Sequence, residues 1–527
     1  MEWFGTWQPK IRGKLFYNWP QGSCEEHLRF INTNQLGPEP YDVVIVGAGV
    51  IGCGLAYKLS LYQLKVLLVD RLNDVGEGTS KANSALIHSG YDAEPGTLES
   101  ELLYEAEIEW PDLASKLKIP IDPIGGIMMA VNREQEKQLS FAEKNAHANR
   151  ATNVQILSSK EIRELEPNAS RNVLGGLLVP GESVGDPFIT SIAYAEVALT
   201  NGVDILLGTN ISNVEVDHKS LAPVHHIISS DNHRIATRRI VNAAGLGGRH
   251  FADRYGGGEF DINPRRGQFA LLDKSARSLI QHIILPVPTA HTKGVLVSPT
   301  IFGNVIVGPT AEDLPLDDPT ATHTTNEGIC KVMEGGSRLV NGLNKQPIIT
   351  TYSGARCACR QGSYVIRYND GGKGIVTLTG IRSTGLTASI SLANYLINNL
   401  NKEVGLELTP DKTAINARPN SAWPGWWKRP FQDNSSNARD DHGCMACFCE
   451  SISIGEISDS MDSPLKPRTM DALKRRTRAL MGRCQGFDCQ VQIAEIISDH
   501  TGIEISKITK NGPGSELVTS SQEEDIK

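Results

Sequence analysis

The 527-residue chain gathers five of its ten cysteines into one short C-terminal region, CMACFCE at 444–450 and CQGFDC at 484–489. Cys447 and Cys449 form a CxC pair, Cys484 and Cys489 a Cx4C pair. In a large chain whose N-terminus has no continuous apolar export core, such clustering favours metal or redox chemistry over a disulfide scaffold. Four thiolates suit an iron-sulfur centre or a zinc ion. Zinc sites usually use CxxC pairs, so CxC with Cx4C favours iron and sulfide. Cys444 would extend the first pair to CxxCxC and reads as a spare or alternative ligand.

A second chemistry-bearing stretch lies near the other end. YDVVIVGAGVIGCGLAYKL, from residue 41, is a β-branched run, a glycine turn and a helical pattern. Gly47 permits the tight turn, Gly49 lets a pyrophosphate approach the backbone, and Gly52 brings helix and strand together, with the phosphates at the helix N-terminus. The next strand, KVLLVD, ends at Asp70, about 20 residues on, where a ribose-binding acid belongs. This motif specifies a dinucleotide without choosing FAD or NAD.

GEGTSKANSALIHSGYD at 76–92 resembles the stretch that runs under the flavin in the glycerol-3-phosphate dehydrogenase and D-amino-acid oxidase superfamily, which includes L-2-hydroxyglutarate oxidase. RRIVNAAGLGG at 238–248 and GIVTLTGIRSTGLTASISLANYL at 374–396 are similar to two further segments of that superfamily, in its order. The resemblance covers about residues 41–518 and implies FAD. The flavin-site positions it implies are Gly47, Gly49, Val50, Ile51, Gly52, Asp70, Arg71, Thr79, Ser80, Ser84, His88, Val214, Ala243, Ala244, Gly245, Gly380, Ser383, Thr384, Gly385, Leu386 and Thr387.

TYSGARCACRQGSYVI at 351–366 resembles a superfamily strand whose arginine holds the substrate's anionic group, a place taken here by Arg356. Arg382, in the flavin turn, is a second candidate cation. His88 is the candidate base by position and by an ordinary pKa near ~6.5, or it orients the flavin instead. GPTAED at 308–313 places Thr310 at the pocket, whereas Arg265, Arg266 and Gln268 of PRRGQFALLD read as structural. Cys357 and Cys359, read as packing, and Ser363 depart from the superfamily pattern and leave the substrate open.

The cysteine region in turn resembles the bacterioferritin-associated-ferredoxin type of [2Fe-2S] domain, which implies Cys447, Cys449, Cys484 and Cys489 as cluster ligands. Between the pairs, PRTMDALKRRTRALMGR at 467–483 reads as one long helix. Its Lys474, Arg475, Arg476 and Arg478 would offset the cluster's charge or dock an acidic partner.

Elements to position these residues follow from the pattern. The expected fold is α/β: a Rossmann-like FAD domain at 41–401, interleaved with an antiparallel-sheet substrate cap at roughly 93–185 and 262–360. A linker at 402–440 anchored by Trp423, Trp426 and Trp427 follows, then a small, mainly helical iron-sulfur domain at 441–510. Residues 1–40 form an extension, and 511–527 a tail with a disordered acidic end. Hydrophobic content of 40%, 50 glycines and 21% charged residues describe a globular protein. The net charge of -8 argues against nucleic-acid binding. No apolar run approaches the ~18 to 20 residues of a membrane span, so any membrane contact is peripheral and the compartment is expected to be cytoplasmic, with mitochondrial the alternative.

The expected activity is oxidation of a small anionic secondary alcohol, glycerol 3-phosphate or a 2-hydroxy acid, by hydride transfer to FAD. Electrons would then leave through the cluster to a quinone, a redox protein or oxygen. An amino- or imino-acid oxidase and a non-turnover redox sensor or iron-handling protein are the alternatives.

Overall fold

The computed structural model describes residues 12, 14–17, 39–217, 224–230, 232–255, 260–289, 293–315, 318, 321–359, 364–368, 374–418 and 440–518. Ser363, the tryptophan-bearing part of the linker and the acidic end lie outside the described residues.

The apolar run VVIV becomes strand Val43–Val46, buried at all four positions, as a strand covered on both faces should be. It lies inside a seven-stranded sheet in the order Leu15–Tyr17, Asp204–Leu207, Val66–Val69, Val43–Val46, Ile240–Asn242, Ile375–Thr379, Val365–Tyr368. All neighbours are parallel except the last pair. Chain connectivity leaves Val43–Val46 in opposite directions, toward Val66–Val69 on one side and Ile240–Asn242 on the other. That reversal opens a crevice at the carboxyl ends of these strands. Helices Val50–Leu59, Pro187–Asn201 and Gly385–Val404 pack together beside the sheet, with Tyr57 stacked on Tyr194 at 5.6 Å.

The second large sheet roofs the crevice. Its longest pairing is antiparallel, Ile262–Leu272 against Ile348–Cys359, and this sets Arg265 opposite Arg356 and Gln268 opposite Ser353. The expected antiparallel cap is in fact mixed: Gly126–Ala130 and Ile283–Pro286, two passes far apart in sequence, pair in parallel. Helices Leu98–Leu117 and Arg133–Ala148 form where the amphipathic stretches lay; each is capped by a side chain, Thr97 and Asn132 respectively.

The C-terminal domain has its own core, including Ile457, Leu473, Ile493 and Ile497. The long basic helix expected over 467–483 is shorter, Met470–Thr477, because Arg478 and Leu480 turn to φ 68° and 71° and stop it. Nor is its basic face open to a partner. Arg475 and Arg476 are buried on Asp74 of the dinucleotide domain at 2.7 Å, and Arg475 also bonds Glu77 at 2.7 Å. Arg478 bonds Glu450 at 3.1 Å. The acidic surface these arginines dock is the protein's own.

Candidate active site and thiolate centre

A cavity of about 760 Å³ runs from the glycine turn to the cap sheet. At its first end Gly47 stands at φ 108°, and a Cβ there would lie 2.5 Å from the Ala243 carbonyl oxygen. A Cβ on Gly52 would lie 1.9 Å from the Gly47 oxygen, so strand, turn and helix close only around glycine. Helix Val50–Leu59 starts here with Gly49 as an uncapped N-cap, aiming its positive end at the cavity. Ser80 Oγ accepts from Val50 N–H at 2.9 Å. Asp70 accepts from Ala48 N–H at 2.6 Å and Leu72 N–H at 2.8 Å, which holds its carboxylate at the cavity wall. Narrow backbone approach, a helix N-terminus and an acid at the next strand end fit a dinucleotide with its ribose and pyrophosphate.

Of the positions expected at the flavin, Gly47, Gly49, Val50, Ile51, Asp70, Arg71, Thr79, Ser80, Ser84, His88, Ala243, Ala244, Gly245, Ser383, Gly385 and Leu386 line this cavity, as do Arg356 and Arg382. Four lie behind the wall. Gly52 packs on the turn, and Gly380, at φ 70°, shapes the loop after strand Ile375–Thr379. Thr384 Oγ1 donates to Glu99 at 2.6 Å, and Thr387 Oγ1 accepts from His88 N–H at 2.9 Å. Val214 sits in strand Ile211–Asp217 of a separate three-stranded sheet, whose approach, Thr209, Asn210 and Ile211, lines the cavity. Thr310 does not line the cavity. Its hydroxyl accepts from Gln268 N–H at 3.1 Å and locks the cap strands, while Pro309 reaches the cavity. Arg266 and Gln268 both bond Glu312, at 2.6 and 2.8 Å.

Charge is distributed unevenly at the cap end. Arg382 is neutralised by buried Glu99 at 3.1 Å, and Lys293 by Asp92. Arg356 has no acidic partner among the described residues. Desolvation, followed by the like charges of Arg265 and Arg382, pulls it down to about 10. Cys357 beside it is buried, its thiol 3.4 Å from both Gly245 O and Thr379 Oγ1, and burial pushes it up, as befits a packed thiol.

His88 Nδ1 meets Glu182 Oε2 at 3.0 Å, and Glu182 Oε1 accepts from Ser89 N–H at 2.8 Å and Ser89 Oγ–H at 3.0 Å. Burial lowers the imidazole pKa, but the charge and hydrogen bond of Glu182 outweigh it and the net direction is up. Glu182 is fully buried and was not anticipated, since it lies 94 residues away in a glycine-rich strand end with no motif of its own.

In the C-terminal domain the four expected thiols stand as two neighbouring pairs. Cys447 hydrogen-bonds Cys489, Cys449 hydrogen-bonds Cys484, and the two pairs sense one another's charge. The hydrogen bond from Cys489 brings Cys447 down to about 6, against burial, and Cys489 is pushed up in return. Backbone N–H groups of Glu450 and Leu480 also donate to Cys447 sulfur. A Cβ on Gly482 would stand 2.3 Å from Cys449 Cβ, so the loop closes on the thiols only with glycine there. Cys449, Cys484 and Asp488 place ligand atoms within 4.8 Å of one another; Cys447 and Cys489 form a second pair outside that group, and exposed Cys444 belongs to neither. Four converging sulfurs with backbone donors fit an iron-sulfur centre.

Residues 42–398 match the FAD dependent oxidoreductase family, and residues 445–499 match the BFD-like [2Fe-2S] binding domain. A glycerol 3-phosphate dehydrogenase of Caloramator mitchellensis is 35% identical over 91% of this chain and 98% of its own length. A glycerol 3-phosphate oxidase of Mycoplasma pneumoniae is 31% identical over 69% of this chain and 95% of its own. The solved structure of dithionite-reduced L-alpha-glycerophosphate oxidase from Mycoplasma pneumoniae with FAD bound aligns at TM-score 0.67 and 28% identity, over 72% of this chain and 98% of that one. With glycine cradle, cavity and four-thiol centre in place, the chain belongs to the FAD-dependent oxidoreductases of the glycerol-3-phosphate dehydrogenase and oxidase type, an enzyme that carries FAD and a [2Fe-2S] cluster.

Proposed function

We propose that the enzyme oxidises glycerol 3-phosphate at its secondary hydroxyl, with Arg356 holding the phosphate and His88 taking the hydroxyl proton, and that electrons leave through the cluster. The observation that carries this reading is Arg356: half-buried in the cavity wall, opposite Arg265, and lacking an acidic partner among the described residues. A guanidinium so placed calls for an anion from outside, held bidentately. A phosphate suits that fork, whose charge meets no carboxylate among the described residues. Relatives named for glycerol 3-phosphate support the same choice.

FAD supplies a hydride acceptor and the cluster a one-electron relay. The chain's own residues do the rest. Arg356 fixes one end of the substrate, so the carbon to be oxidised is presented along the cavity rather than tumbling in it. His88 receives the hydroxyl proton at Nε2 because Glu182 occupies Nδ1 and stabilises the imidazolium that forms. Glu99 holds Arg382 and Thr384, keeping the turn at Ser383–Leu386 in one conformation at the cavity edge.

The electron route is supported by contacts between the domains. Glu77, which lines the cavity, bonds Arg475 of the iron-sulfur domain. Next to the thiols, Glu450 bonds Lys274 and Arg483 bonds Asp273, both of the cap. A quinone, a redox protein or oxygen is the onward acceptor.

Anaerobic mixing of the purified holoenzyme with glycerol 3-phosphate, lactate, 2-hydroxyglutarate, glycine and proline tests the substrate. Rapid bleaching of the flavin by glycerol 3-phosphate alone is expected. Faster bleaching by a hydroxy acid or amino acid would replace the reading.

A further inference from the structure

We propose that the enzyme's electrons go to a one-electron carrier protein with a basic rim, and that it docks on an apolar patch edged by acids at the thiol centre. The inference rests on the reading that electrons leave through the cluster, and it names the kind of partner that receives them.

The core of the C-terminal domain takes in Ile457, Leu473, Ile493 and Ile497, yet three large apolar side chains beside it stay in water. Phe487 is 91% exposed, Phe448 76% and Val491 67%. All three belong to the cysteine segments. Phe448 lies between Cys447 and Cys449, Phe487 between Cys484 and Cys489, and Val491 follows two residues after Cys489. Cys449 bonds Cys484, and Phe487 N–H donates to the Cys484 carbonyl at 3.1 Å, so each member of that half-exposed pair has an aromatic beside it. Apolar side chains left in water add nothing to the fold. Gathered at a functional centre and edged by polar groups, they mark a contact surface, and aromatics dominate such contacts.

The edge is acidic. Asp488 brings a carboxylate oxygen within 4.8 Å of the Cys449 and Cys484 sulfurs. Helix Gln490–Thr501 then carries exposed Val491, Glu495 and Asp499 at intervals of four, a stripe along one side that begins at the patch. The Gln490 N–H bond to Gly486 O extends the helical turn back to Phe487. Asp499 stands in the last turn, where the helix dipole disfavours an acid, so its charge does not serve the helix. Arg483, an exposed cation near Cys449, is tied to Asp273 of the cap, and Arg475 and Arg476 are turned inward onto Asp74. A face apolar at its centre and negative at its edge suits a basic protein and is repelled by an anionic bilayer.

Each glycerol 3-phosphate oxidised yields two electrons and two protons. The electrons leave singly, so two carrier molecules are each reduced by one electron and the protons pass to solvent. A carrier that comes and goes twice per turnover needs a small, salt-sensitive contact rather than a permanent one.

Mitochondrial cytochrome c, a basic one-electron carrier, is the probe, and its lysine-succinylated form is the charge-reversed control. Binding to resting holoenzyme is read by biolayer interferometry in low salt, and reduction of the probe by enzyme pre-reduced with stoichiometric dithionite is followed in stopped flow. Cytochrome c should bind the native enzyme, and its reduction should slow by about tenfold or more as salt rises from about 10 to about 300 mM. The succinylated form should be reduced about tenfold more slowly in low salt. Phe487→Ala and the double variant Glu495→Lys with Asp499→Lys should each weaken binding by about tenfold and slow reduction in step, with iron content and flavin bleaching by glycerol 3-phosphate at native levels. Native binding by both variants, or no preference between the two probe forms, overturns the docking surface. So does binding of the native enzyme, but not of Phe487→Ala, to phosphatidylcholine vesicles with none to cytochrome c, which would make the patch a membrane contact. Iron-depleted Cys484→Ser tests the underlying route separately: native binding with slowed reduction sustains route and docking, and undiminished reduction removes the cluster from the route and the proposal with it.

Discussion

Arg265 and Arg356 stand directly opposite one another on adjacent antiparallel strands, two guanidiniums on one face of the cap sheet. Like charges so placed destabilise a sheet. Arg265 is partly offset by Asp313 at 3.1 Å; Arg356, turned toward the cavity, is not. A site that tolerates this repulsion when empty is relieved by an anion. Arg356→Gln should therefore lower kcat/KM for glycerol 3-phosphate by about ten- to hundredfold, the loss of a charged hydrogen bond worth roughly 1.5–3 kcal/mol. The same variant should melt no lower than the native protein. Inorganic phosphate should raise the Tm of the native protein and not of the variant, as differential scanning fluorimetry would report.

The His88–Glu182 pair fixes a pH dependence. Glu182 raises the imidazole above its ordinary value near 6.5 despite burial, and a base must be neutral to accept a proton. The rate of flavin bleaching should thus rise with pH through an apparent pKa above 6.5. Glu182→Gln should move that limb to lower pH and slow the plateau by about 10²-fold or more, read in the pH profile of single turnovers. Because the folded pKa is the higher one, the pair's contribution to stability is complete below 6.5 and fades as pH rises through the raised value. Glu182→Gln should flatten that part of the Tm profile.

Both sets of chemistry were legible from local patterns. The glycine turn, the acid at Asp70 and the paired cysteines are each compact in sequence because backbone geometry or ligand spacing demands it. Residues brought in by tertiary contact left no such trace. Glu182 reaches His88 from another element, and its residue type is unremarkable where it occurs. The arginines before Cys484 carry charge that suits an acidic partner or the cluster; composition does not show that Asp74, 402 residues upstream of Arg476, is the acid that buries it.

That burial makes Asp74 a keystone between the domains. Attraction to Arg476 and Arg475 overcomes desolvation and holds its carboxyl well below the ordinary range. A depressed folded pKa means that the stabilisation is present above about 3.8 and lost as pH falls through the lowered value. Asp74→Asn takes the carboxylate from buried Arg476 while Arg475 keeps Glu77, and removing one partner of a buried pair costs about 3–5 kcal/mol. The expected result is a lower Tm at pH 7 and faster proteolysis at the domain junction. A native-like Tm and an unchanged cleavage pattern would show that the ion cluster adds no stability.

The thiol centre gives the last prediction. Cys484 is half-exposed and bonded to Cys449, while Cys447 and Cys489 are buried, so loss of Cys484 opens the centre without hollowing the domain core. Cys484→Ser should purify with its flavin but with iron and labile sulfide sharply reduced. Glycerol 3-phosphate should still bleach that flavin at close to the native rate, because Arg356 and His88 lie in the other domain. Turnover with a one-electron dye should fall by about tenfold or more, since electrons would have to leave the buried cavity directly instead of through the relay. Undiminished turnover in a variant shown by chemical assay to lack iron would place the cluster off the electron route and leave it a structural role. A full complement of one zinc in the native protein, with no iron, would remove the relay from the enzyme altogether.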